Sequence, residues 1–226
     1  MKKILLIAKK ELQSYFYNPL GYLSAGTVIL IATWLFLNNL FKINQADMTP
    51  YWGTVGYILS LFVPAMTMSI FADEKKNNTW EILKTLPIKE DEIVWGKFWG
   101  GAGFLLFTIL LSVPLAITLC FIGKPQIGLI IGGYFGIILL TFSYLSLGIL
   151  ISALTDQALV AFLITSVILI LNTLMSQVKY LSDFSLNVRS ATFGAGLLNI
   201  MDLFFFISWI IIINQITILI LKSKTK

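Results

Sequence analysis

The sequence predicts an all-α, polytopic membrane protein: six transmembrane helices, an interfacial amphipathic helix ahead of them and a short cytoplasmic helix after the second. Three observations carry this reading. Of 226 residues, 58% are apolar and only 12% charged, about half the charged share of a soluble domain. The apolar residues gather into six runs. Uncharged runs of about 18 residues or more read as membrane-spanning helices, because backbone in lipid must be hydrogen-bonded internally. The basic residues, finally, concentrate in alternate connections, as a membrane topology requires.

Residues 1–19 come first. At about 100° per residue, Ile4, Leu5, Ala8, Leu12, Tyr15 and Phe16 share one face of a helix. Lys2, Lys3, Lys9, Lys10, Gln13 and Ser14 share the other, with Leu6 and Ile7 out of pattern. A basic amphipathic helix of this kind lies in the membrane interface, its lysines near anionic head groups. Lys9, Lys10 and Glu11 interrupt the apolar residues, which argues against a cleavable signal peptide. Asn18-Pro19 ends the helix, since proline disfavours helical backbone at the preceding residue.

The spans follow at residues 21–40, 55–71, 100–122, 127–154, 159–175 and 203–221. Pro64 and Pro114 predict kinks in the second and third. The fourth is long enough to tilt or to extend beyond the membrane. On it Gly128, Gly132 and Gly136 recur every four residues and predict close helix packing.

Between the second and third spans lies FADEKKNNTWEILKTLPIKEDEIVWGK, residues 71–97, with five lysines. Asn78 is placed to cap a helix running from Thr79 to Leu86, and Glu81 to answer it as in a capping box. Pro87 stops that helix. Trp80, Leu83 and Pro87 share one apolar face, suited to the chain's own membrane domain or to a groove on another subunit. A second amphipathic stretch, residues 90–97, leads into the third span.

Orientation follows from the lysines. The N-terminal segment, the 71–97 connection and the tail together hold twelve of the sixteen basic residues. The other side has Lys42, Lys124, Lys179 and Arg189. Both termini and the 71–97 connection are therefore expected in the cytoplasm, and the net charge of +5 is a topology signal that calls for no nucleic-acid partner.

The string FVPAMTMSIFADEKKNNTWEILKTLPIKEDEIVWGKFWG, residues 62–100, resembles the block between the second and third spans of ABC-2-type permeases. Among these it is most similar to the gliding-motility-associated permeases of bacteria. The resemblance continues in KKELQSYFYNPLGY near the N-terminus and in SALTDQALVAF, residues 152–162, and weakens toward GAGLLNIMDLFFF, residues 194–206. Asn78 stands where the family often has glycine, and Trp80 where it has an aliphatic residue. Ala195 and Asn199 replace a common arginine and aspartate, which weakens any shared external substrate contact.

The resemblance implies one transmembrane domain over residues 1–226, in the bacterial inner membrane, working with a second copy or a paralogous permease. It implies a separate ATP-binding subunit that holds ATP and magnesium, while this chain binds no cofactor or metal. The helix after span two becomes a coupling helix, with Glu74, Thr79, Trp80, Glu81, Leu83, Thr85, Leu86 and Pro87 facing that subunit across residues 72–97. The interfacial helix, with Lys9, Lys10 and Glu11, braces the contact. Residues 176–202 become an external segment that re-enters the outer leaflet, open to an external auxiliary protein. The function implied is coupling of a partner's ATP hydrolysis to export or to mechanical transmission across the membrane.

Other classes find less support in the residues. No catalytic residue stands out, no histidine occurs, and the single cysteine, Cys120, falls inside the third span. A phosphate-cradling loop needs a glycine five residues before Gly-Lys-Ser/Thr, yet Gly96-Lys97 is followed by Phe98 and preceded by Asp91 at the glycine position. No ionisable residue sits mid-span; Asp156 and Asp202 lie at span edges. An ion- or proton-coupled carrier or a membrane-embedded enzyme is therefore the weaker alternative.

Overall fold

The computed structural model of the chain describes residues 2–43, 48–85, 88–123, 125–178, 182–196 and 199–223, and among them every regular element is helical. Helix α1 (Lys2–Tyr17) is separated by Asn18 from α2 (Pro19–Ile43). The second span is α3 (Thr49–Thr67) continued by α4 (Ser69–Lys76), after which comes the short α5 (Thr79–Thr85). The third span is α6 (Glu90–Leu110) continued by α7 (Val113–Ile122), and the fourth is α8 (Ile127–Leu154). Helix α9 (Ala158–Leu174) precedes the short α10 (Leu186–Gly194), and α11 (Ile200–Ser223) closes the chain. Among the described residues six stretches are long and apolar enough to cross a membrane. The second begins at Thr49, earlier than its hydropathy suggests, because Pro50 stands in the first turn, where a missing N–H costs no hydrogen bond.

Helix α8 is the axis, packed against α3, α4, α6, α9, α10 and α11. The outward faces of α2, α9 and α11 expose leucine, isoleucine and phenylalanine, among them Leu30, Leu163, Phe204 and Leu219. Such faces are at home in lipid, which is as apolar as they are.

Both proline-bearing spans break, and each break is closed by a serine. In the second, Met68 interrupts the helix four residues after Pro64. The Phe71 and Ala72 amides donate to Ser152 Oγ at 3.0 and 3.2 Å, and the Ser152 hydroxyl donates to the Met68 carbonyl at 3.0 Å. Gly148, one turn earlier on α8, makes room for Thr67. In the third span the break falls at Leu111–Ser112, ahead of Pro114, where Ser112 donates to the Ile109 carbonyl at 2.7 Å.

The chain has two distinct ends. Lys222 pairs with Asp91 at 2.8 Å and Lys3 approaches Glu92 at 4.0 Å, so both termini gather at the start of α6. This is the terminal end, and α4 and α5 share it. Helix α10, packed on the first half of α8, marks the far end.

Candidate functional site

The site is built from the α4–α5 turn outward. Asn78 has φ +56°, the left-handed geometry of a residue that closes the preceding helix, whereas an N-cap takes extended backbone. Asn78 therefore terminates α4, and the expected capping of α5 is corrected. Glycine is favoured at such a φ and asparagine tolerates it better than most residues. The reciprocal carboxylate appears instead at the start of α6, where Glu92 accepts the Lys89 amide at 3.2 Å. Thr79 Oγ1 donates to the Glu74 carbonyl at 3.1 Å and ties α5 back to α4.

Trp80 turns inward. It is buried and meets the Phe71 ring edge-on, centroids 5.5 Å apart. Thr79 and Glu81 are exposed and Leu83 is half-buried. Leu86 and Pro87, with the Thr85 side chain, lie outside the described residues.

Beneath this turn sits Lys97, 2% exposed. Its Nζ donates to the Ile70 carbonyl at 2.6 Å and to Glu74 Oε1 at 2.7 Å. Glu11 Oε2 stands 3.9 Å away and the Phe71 ring centroid 4.7 Å. Hydropathy counts Lys97 as a loop cation and gives it no role beyond topology. The available signal was its setting, a lysine between Gly96 and Phe98 in a stretch otherwise apolar from Ile93 to Leu106.

Helix α1 reaches this node by lying along α6. A Cβ on Gly96 would come within 2.7 Å of Ile7, and one on Gly100 within 2.5 Å of the Glu11 Cβ, so the two glycines form the groove that α1 fills. The packed face is consequently Ile4, Ile7, Ala8, Glu11, Leu12, Tyr15 and Phe16, while Leu5 and Leu6 are exposed. This corrects the expected face at Leu5 and Ile7. Lys9 and Lys10 are exposed. Burial raises the Glu11 carboxyl above its ordinary range; Lys97 opposes that shift, and Glu74 adds to it.

Two further contacts fix the root of α4. Lys75 Nζ donates to the Ala153 carbonyl and pairs with Asp156 at 3.6 Å, a cation placed where the α8 dipole favours one. An open cleft of about 450 Å³ remains between α1 and the α4–α5 turn, lined by Glu11, Ser14, Asp73, Glu74, Thr79 and Leu83.

At the far end, Gly132 and Gly136 receive the α10 backbone at Phe193 and Ser190, while beside Gly128 there is open space. Arg189 on α10 donates to Asp202 Oδ1 at 2.6 Å and to the Asp183 carbonyl at 2.7 Å, and lies 4.3 Å from the Phe205 ring centroid.

A sequence model of the ABC-2 family transporter proteins matches residues 6–225, and so takes in α1, the Lys97 node and the far-end pair alike. No curated protein matches the chain. With six helices able to cross a membrane and a family match over nearly its whole length, this chain is a multi-pass membrane protein that belongs to the ABC-2 transporter family.

Proposed function

We propose that this chain is the permease subunit that converts ATP hydrolysis on a separate subunit into rearrangement of membrane helices, with α5 as the docking element. The observation that carries the reading is the mounting of the α4–α5 turn. It stands at the terminal end with Thr79 and Glu81 exposed, on a root fastened by Ser152, Lys75 and Lys97. A lever needs an accessible tip and a stiff base, and this turn has both. Glu74, Thr79, Glu81 and Leu83 border or face the side a partner would approach, and Trp80 anchors the helix from within.

In this reading ATP and magnesium belong to the partner, two permease copies or a paralogous pair form the membrane unit, and both termini lie in the cytoplasm of a bacterium. The narrower kinship is with gliding-motility-associated permeases. The output is export of an amphiphile or force delivered to an external protein.

The experiment is retention of the ATP-binding subunit on tagged permease. Leu83→Asp places a charge on the half-buried apolar edge of α5. It should weaken retention at least about a hundredfold, on the order of 3 kcal/mol, while membrane insertion is unchanged. Wild-type retention by Leu83→Asp would move the docking role away from α5.

A further inference from the structure

We infer that Lys97 is a positioning residue for coupling: its ammonium joins the root of α4–α5 to α1 and α6, and by exchanging one carboxylate partner for another it passes displacement of the short helix pair on to them. The inference rests on the docking role proposed above and adds the residue through which motion passes onward.

One side chain touches three helices here. Lys97 belongs to α6, its Nζ bonds Ile70 and Glu74 on α4, and Glu11 on α1 faces it at 3.9 Å. Apolar contacts are non-directional and let helices slide. A desolvated ammonium cannot leave its acceptors without another to receive it. A buried ion pair often adds little stability over well-packed apolar side chains, and in this inference the one at Lys97 serves to fix one helix arrangement among several. The α1–α6 contact is tight beside the node, with Ile7 against Gly96 and Glu11 against Gly100. Motion imposed at Lys97 therefore reaches α1 directly.

The node is also unsaturated. Glu74 Oε2 is buried without a hydrogen-bond partner, and Glu11 stands just beyond hydrogen-bonding distance. Lys97 thus has two carboxylate seats, one occupied at 2.7 Å and one waiting at 3.9 Å. When α4 is drawn away from α6, the ammonium passes to Glu11 and is never left bare. Packed interfaces with two discrete arrangements of this kind are how small displacements become large ones.

The test uses the full chain assembled with its ATP-binding subunit in lipid nanodiscs. Spin labels go at the exposed positions Leu6 on α1 and Leu159 on α9, in a Cys120→Ser background because Cys120 is exposed. The label-to-label distance is measured without nucleotide and after trapping with ATP and vanadate, and only on assembled complex. The wild-type distance should shift on trapping, Lys97→Met should lose the shift, and Lys97→Arg, which restores a cation, should regain part of it. A full wild-type shift in Lys97→Met overturns the inference. If Lys97→Met does not fold, Glu11→Met decides. It removes the second acceptor while sparing the Glu74 contact, so a lost shift supports the two-seat pivot and an unchanged one overturns it. A wild-type complex that never assembles overturns the docking reading itself, and this inference with it.

Discussion

Each end of the bundle holds one buried charged side chain among the described residues, Lys97 at the terminal end and Asp202 at the far end, and the two are built on opposite plans. Asp202 is saturated and local. Its partner Arg189 lies thirteen residues away, Thr192 adds a hydroxyl at 3.3 Å, and the guanidinium is occupied by the Asp183 carbonyl and the Phe205 ring as well. Arginine suits such a place because its planar fork reaches several acceptors at once. The Lys97 node is neither saturated nor local, since Glu74 Oε2 has no hydrogen-bond partner and the groups around the ammonium come from α1 and α4. The far end is stapled within one stretch of chain. The terminal end is held by a charge shared among separate helices, as befits the end proposed to receive motion.

Removing each charge measures that contrast, and the largest effect belongs to Lys97. Lys97→Met leaves Glu74 without its counter-ion and should cost about 3 kcal/mol, the lower part of the range for broken buried pairs, because the Glu74 side chain keeps 26% exposure. Thermal unfolding in detergent reads this, and adding Glu74→Gln should recover most of it. Asp202→Ala should cost less, about 1–2 kcal/mol, since Arg189 keeps its bond to Asp183 and some contact with water. Faster tryptic cleavage after Arg189 would accompany it. Equal losses in the two variants would break the comparison.

The smallest effect concerns Glu11 and sharpens the picture of the shared node. Its carboxyl is raised above 4.5, chiefly by burial. Between that ordinary value and the raised one the folded chain binds more protons than the unfolded chain. Stability therefore falls as pH rises through the window and is gained on acidification. Glu11→Gln should flatten this part of the profile, read as melting temperature against pH across the mildly acidic range. An unchanged slope would mean that the Glu11 carboxyl is not desolvated in the folded chain, since burial raises it and Lys97 opposes the shift.

Much of the fold was legible in the sequence, because lipid enforces long apolar runs and proline marks their breaks. The six spans, the short helix from Thr79 and the disturbance near Pro64 and Pro114 all follow from those rules. The site was less legible, for physical reasons. Hydropathy treats lysine as a boundary marker and so puts Lys97 in a loop, although it lies inside α6. Helical periodicity finds apolar faces but not what they press on. Periodicity therefore puts Leu5 on the packed face and leaves Ile7 out of pattern and Glu11 on neither face, whereas the glycine groove on α6 selects Ile7 and Glu11. Asn78 carried an ambiguous signal, since asparagine both starts and ends helices; its positive φ decides for an end. Ser152, a small polar residue in an apolar helix, has nothing in its own neighbourhood that names the amides it serves.

That last pairing constrains how the protein is made. The two amides near Met68 rely on a hydroxyl that leaves the ribosome 81 residues after Phe71, a wait of about 4–16 s at ordinary elongation speeds. Bare amides are expensive in hydrocarbon. The half of the second span nearer the terminal end should therefore rest at the water boundary, or against the insertion machinery, until the fourth span enters and seats it. The nascent chain would thus assemble its membrane core out of order, with α8 arriving as the piece that locks an earlier one into place.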